Sequence, residues 1–161
     1  MDKNIANEYL NVVINNLNII KLSGEKAIEQ VEDSDLFWKP NERSNSIAII
    51  IKHLHGNMIS RWTDFLHTDG EKPDRNKDHE FLDSIITREE LLLMWDRGWK
   101  AVFGAIHALT GNDLLKTVYI KNQPHSVVKA IQRQVYHYSY HIGQIVYIAK
   151  QCKSDPWKTL I

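Results

Sequence analysis

Gln134-Val-Tyr-His137-Tyr-Ser-Tyr-His141-Ile-Gly-Gln144, near the end of a 161-residue chain, places two histidines four residues apart. The segment reads as helix, because Val127, Ala130, Gln134, His137, His141, Ile145 and Ile148 fall close to one stripe at helical spacing. Residues at i and i+4 on a helix have Cβ atoms about 5–6 Å apart on one face. Two imidazoles so placed can reach one divalent ion. The rest of the stripe is mostly apolar, which turns the pair inward. Burying a polar group without a partner costs about 1–3 kcal/mol in proteins. Two inward histidines therefore need hydrogen bonds or a metal, and spacing alone does not choose.

Outward from this stretch, three more helical patterns appear. The first covers about 5–30, with Ile5, Tyr9, Val12, Val13, Ile19 and Ile20 in register. Gly24 weakens that pattern without ending it. Leu36-Phe-Trp-Lys-Pro40 reads as a break, since proline disfavours helix in the residue before it. Ser44, Asn45 and Ser46 each suit the N-cap of a second helix. That helix carries Ile47, Ile50, Ile51, Leu54, Met58, Trp62 and Phe65 on one face. Asp69-Gly70 and Pro73 then mark a turn within a long polar loop, His67 to Asp83. Arg75, Lys77 and Asp78 are expected to keep it solvated as a surface excursion. Thr87 and Glu90 form a capping box that opens the third helix, which stops near Gly111. Asp113 to Tyr119 has room for a short extended piece. Ser126 caps the fourth helix, which runs to about Gln151, and the tail from Asp155 is expected to pack back through Trp157. Four amphipathic helices predict an all-α chain, a four-helix bundle in one domain over 1–161, with the long loop between helices two and three as a crossover.

Composition excludes several roles. Twenty basic and twenty acidic side chains balance to a formal net charge of zero. That argues against a general electrostatic grip on nucleic acid. Cys152 is the one cysteine, so neither an intrachain disulfide nor a Cys-rich zinc knuckle exists, and it reads as a small apolar residue. The polar N-terminus lacks the apolar core of a signal peptide, and no apolar run reaches membrane-spanning length. The expected location is the cytoplasm, away from membranes.

A third metal ligand would come from the second helix, where Ile51-Lys-His53-Leu-His55-Gly offers two candidates. His53, Asn57, Ser60, Arg61 and Asp64 form a polar stripe along one edge of that helix, with an Arg61–Asp64 ion pair as its bland explanation. His55 lies on the other edge, beside Ile51 and Trp62. Geometry mildly favours His53 and leaves the choice open. His67, His79, His107 and His125 read as surface residues.

His137-Tyr-Ser-Tyr-His141-Ile-Gly-Gln144-Ile together with His53-Leu54 resembles the DinB-like superfamily, in an uncharacterised branch of its metalloenzymes. Ser44-Asn-Ser-Ile47, Gly56-Asn-Met58, Ser60-Arg-Trp-Thr-Asp-Phe-Leu66 and Asp69-Gly-Glu-Lys72 fit that branch, so the likeness covers nearly the whole chain. The resemblance implies a four-helix bundle with a metal held by His53, His137 and His141, and a homodimer as a common state. Some relatives are thiol transferases that use a low-molecular-weight thiol; others are isomerases.

A metal-dependent enzyme acting on a small-molecule substrate is the first expectation, with thiol S-transfer to an electrophile as its leading form. Zinc is the expected ion, nickel or iron the alternatives, because imidazole suits all of them. In this reading Arg61 pairs with a carboxylate on cofactor or substrate, Asn57 or Asp64 orients a ligand, and Gln144 supports a ligating histidine. The alternatives are a metal-dependent hydrolase and a non-catalytic metal-binding module that dimerises.

Overall fold

The computed structural model describes residues 3–82, 86–153 and 156–160. It is mostly helical, as the periodicity predicts. Four long helices dominate: α1 (Lys3–Ile28), α2 (Ile47–Trp62), α4 (Arg88–His107) and α5 (Val127–Cys152). A one-turn helix α3 (Lys77–Glu80), a 3-10 turn (Asp33–Phe37) and a two-stranded hairpin, β1 (Thr117–Ile120) and β2 (Gln123–Ser126), complete the described elements.

Local signals fix the helix starts. The Ser46 hydroxyl accepts from the Ile49 amide and caps α2, and Ser126 does the same for α5 through Lys129. Thr87 and Glu90 make the reciprocal capping box of α4. Helix α2 ends at Trp62 with Thr63 as its C-cap, one turn short of the predicted Phe65. Asp64 adopts a left-handed φ of 49° and breaks the helical path there.

The core is contributed by every long helix: Val13 and Leu17 from α1, Leu54 and Met58 from α2, Trp95 and Trp99 from α4, Ile131 and Tyr138 from α5. Helix α2 packs chiefly on α4, and α1 chiefly on α5, with further α2–α5 and α1–α4 contact. Gly24 is required by this packing. A Cβ there would lie 2.5 Å from the indole Cη2 of Trp95. Trp157 packs against the core as expected, with the Lys150 ammonium over its ring; Asp155 lies outside the described residues.

Two connections differ from expectation. The segment predicted as a solvated loop contains α3 and folds onto α2, and its Arg75 side chain is only 5% exposed. The last residue of that predicted loop, Asp83, lies outside the described residues. The extended piece near Tyr119 is one arm of an antiparallel hairpin, pairing Thr117 with Ser126 and Ile120 with Gln123. Lys121 and Asn122 turn it with φ values of 53° and 59°. Positive φ at both positions of a two-residue loop matches the right-handed twist of the strands. The Asp69 carboxylate holds this turn, accepting from the Lys121 and Asn122 amides at 2.9 and 2.7 Å. No helix is long and apolar enough to cross a membrane among the described residues.

Candidate metal centre

His53 from α2 and His137 and His141 from α5 converge, with one ligand atom of each within 4.8 Å of the others. The Nε2 atoms of His53 and His137 are 3.2 Å apart. Two imidazoles bound to one zinc at 2.0–2.1 Å in tetrahedral geometry place their nitrogens about 3.3 Å apart. Two unprotonated nitrogens facing at that distance repel unless a proton or a cation lies between them. A proton on one of them satisfies that pair alone, whereas with the His141 nitrogen also within reach the set of three suits a divalent ion.

Neighbours set the tautomers of His53 and His141. His53 Nδ1–H donates to Glu80 Oε2 at 2.9 Å, which leaves the Nε2 lone pair directed at His137. His141 Nδ1–H donates to Gln144 Oε1 at 2.8 Å, one turn along α5. Such outer partners fix ring orientation and raise ligand basicity. His137 has no such support, and its Nδ1 is buried without a partner. Burial pushes the His137 imidazole down to about 3, with the neighbouring His141 and His53 adding to the effect. Burial likewise lowers His141, to about 4, with His53 adding and the Gln144 bond opposing. Both rings are neutral at neutral pH, the state a metal requires.

Glu80 is the functional residue that sequence reasoning missed. It comes from α3, inside the supposed excursion, and is buried. Arg75 grips its carboxylate through Nε at 2.8 Å and Nη2 at 2.9 Å. Burial raises the Glu80 carboxyl, but the bonds from His53 and Arg75 outweigh it and hold the group below its usual range. Gly56 makes room, since a Cβ there would fall 2.1 Å from Glu80 Oε1. The Gly56-Asn57 signal lay in the sequence, but it cannot reveal a carboxylate 27 residues from His53.

The polar stripe of α2 is turned mostly inward, although Ser60 also borders a cavity of about 460 Å³. Asn57, Ser60 and Arg61 are all buried. Asn57 Oδ1 accepts from the Tyr138 hydroxyl at 3.3 Å, and that hydroxyl accepts from Trp62 Nε1 at 2.7 Å, pinning α2 to α5. Ser60 Oγ donates to the Gly70 carbonyl. Arg61 bonds the same carbonyl through Nη1 and Glu71 Oε2 through Nη2, at 2.9 Å for the latter. It does not turn to Asp64, which is exposed past the helix end. His55 faces away from the centre, with Nδ1 2.8 Å from the Met94 carbonyl oxygen. Two exposed rings border the three histidines. Phe81 lies 4.9 Å from the His53 ring and Tyr140 lies 5.0 Å from that of His141.

No curated protein matches the sequence. A family model described as a protein of unknown function, DUF1572, matches residues 4–161, nearly the whole chain, and the chain belongs to that family.

Proposed function

We propose that the chain is a metal-dependent enzyme built on a four-helix bundle of the DinB-like kind, with His53, His137 and His141 holding a divalent ion. The observation that carries this reading is the convergence of the three histidines, with one ligand atom of each within 4.8 Å of the others. Zinc is the ion we favour, with nickel or iron as alternatives. Among the described residues no fourth His, Cys, Asp or Glu joins the group. Three protein ligands with an open position are the pattern of catalytic rather than structural zinc, so we favour an enzyme over a non-catalytic module. A bound ion of this kind supplies a Lewis acid that favours the deprotonated form of a thiol or water.

The chain's own residues prepare that site. Glu80 and Gln144 orient two of the rings, and burial keeps His137 and His141 unprotonated. Phe81 and Tyr140 add aromatic surface to the border of the site. Resemblance to thiol-transferring relatives supports transfer of a low-molecular-weight thiol to an electrophile, by a cytoplasmic homodimer, as the reaction. Metal-loaded protein incubated with monochlorobimane and a panel of small thiols tests it. At least one thiol should react at a rate that His53→Ala abolishes. If no thiol shows a His53-dependent rate, transferase activity is refuted, and hydrolysis of ester or amide substrates becomes the next assay.

A further inference from the structure

A cavity of about 580 Å³ is linked to the centre through Gln144, the partner of His141, and is lined in part by Arg43, Asn45, Tyr140, Gln144, Tyr147 and Ile148. Its size falls in the range of small-molecule sites, about 300–1,000 Å³. Among the described residues Arg43 is the one charged residue in the lining, and no carboxylate is present there. Among the described residues the Arg43 side chain has no hydrogen bond or ion pair; only its backbone amide is bonded, to Asn41 Oδ1. The Gln144 amide spends its oxygen on His141, which leaves its NH₂ as a donor in the cavity wall. The phenol of Tyr147 and the amide of Asn45 add further hydrogen-bonding groups, and Ile148 with the faces of both tyrosines adds apolar surface.

We infer that this cavity binds the organic part of the enzyme's substrate or thiol, and that the ligand is a small carboxylate with an apolar body. The inference rests on the metal-enzyme reading, because Gln144 joins the cavity wall to a metal ligand. Arg43 is the carboxylate partner, its planar fork suited to two parallel bonds. Arg61, the cation singled out by sequence for that role, is buried and already spent on Gly70 and Glu71. The tyrosines flank the apolar body, and Gln144 is a positioning residue that couples ligand and His141.

The test uses cobalt-loaded, isotopically labelled full-length protein titrated with 3-phenylpropionate and followed by NMR. Saturable binding is expected, with shifts at Gly143 and Gln144. Arg43→Met, an exposed substitution, should weaken it by about tenfold or more, the loss expected for a charged hydrogen-bonded pair. The neutral analogue 3-phenylpropanamide should bind the wild-type protein as weakly as the acid binds the variant. Equal affinity for wild type and Arg43→Met, equal affinity for acid and amide, or no binding at millimolar probe overturns the inference. Arg43-dependent binding in a protein that takes up no cobalt would instead overturn the metal reading and leave the cavity assignment standing.

Discussion

Replacing Glu80 with Gln probes the hydrogen-bonded link between the folded-back segment and His53. The substitution keeps the shape of the side chain and removes its charge. Glutamine can still accept from His53 Nδ1–H with its oxygen, but its NH₂ must then face Arg75, which only donates. The Nη2 bond to Oε2 can survive beside the His53 bond, but the Nε bond to Oε1, at 2.8 Å, cannot. Loss of a partner behind a ligating histidine typically costs 10–100-fold in metal affinity, or about 1.4–2.8 kcal/mol. The Arg75 and Glu80 side chains are only 5% and 9% exposed, and beyond Glu80 the Arg75 side chain keeps a longer contact with Glu71, at 3.6 Å. Breaking a buried pair can itself cost about 3–5 kcal/mol of stability, so stability must be measured separately. The assay is competition for zinc against a chromogenic chelator, alongside urea unfolding of the metal-free protein. Zinc affinity should fall within the 10–100-fold window. A folded Glu80→Gln protein that binds zinc within about twofold of wild type would refute the idea that the Glu80 charge, held by Arg75, supports His53.

Gly56→Ala should weaken zinc binding comparably, because its Cβ would displace the Glu80 carboxylate, while helix propensity opposes any loss of stability by about 1 kcal/mol; a variant with unchanged zinc affinity counts against the packing argument. Tyr138→Phe leaves Trp62 Nε1 and Asn57 Oδ1 without their shared hydroxyl and should cost about 1–3 kcal/mol, read as a lower urea midpoint with unchanged slope. Acid should destabilise the metal-free protein. His137 and His141 have folded values of about 3 and about 4, below the usual imidazole value of about 6.5. Between those limits the unfolded chain binds protons that the folded one does not, so stability is full above about pH 6.5 and falls as the pH drops toward 4 and then 3. Replacing both histidines with Gln should flatten that slope in pH-dependent urea titrations.

Much of the fold was legible because it depends on local chemistry. The capping residues Ser46, Thr87 and Ser126 and the inward stripe of α5 are read from neighbours in sequence, and they start the helices where predicted. The convergence of His53 on the α5 pair was beyond periodicity, which could not separate it from His55; the family resemblance made that choice. The folded-back segment was illegible for a different reason. Arg75, Lys77 and Glu80 look like a solvated charge cluster until Glu71 and Arg61 are brought to them by the turn at Gly70. Their burial depends on charge pairing across the fold, which composition cannot show. The hairpin carried a fair local signal, Val118-Tyr-Ile120 before Asn122, but its turn needed two left-handed residues without glycine, stabilised by the distant Asp69.

Metal content of untagged protein, measured by elemental analysis beside His137→Ala, tests the central claim most directly. The three-histidine centre predicts about one zinc or similar divalent ion per chain, lost in the variant while helical content is retained. Occupancy below about half in the wild type, unchanged by His137→Ala and not restored by adding zinc, would contradict the account.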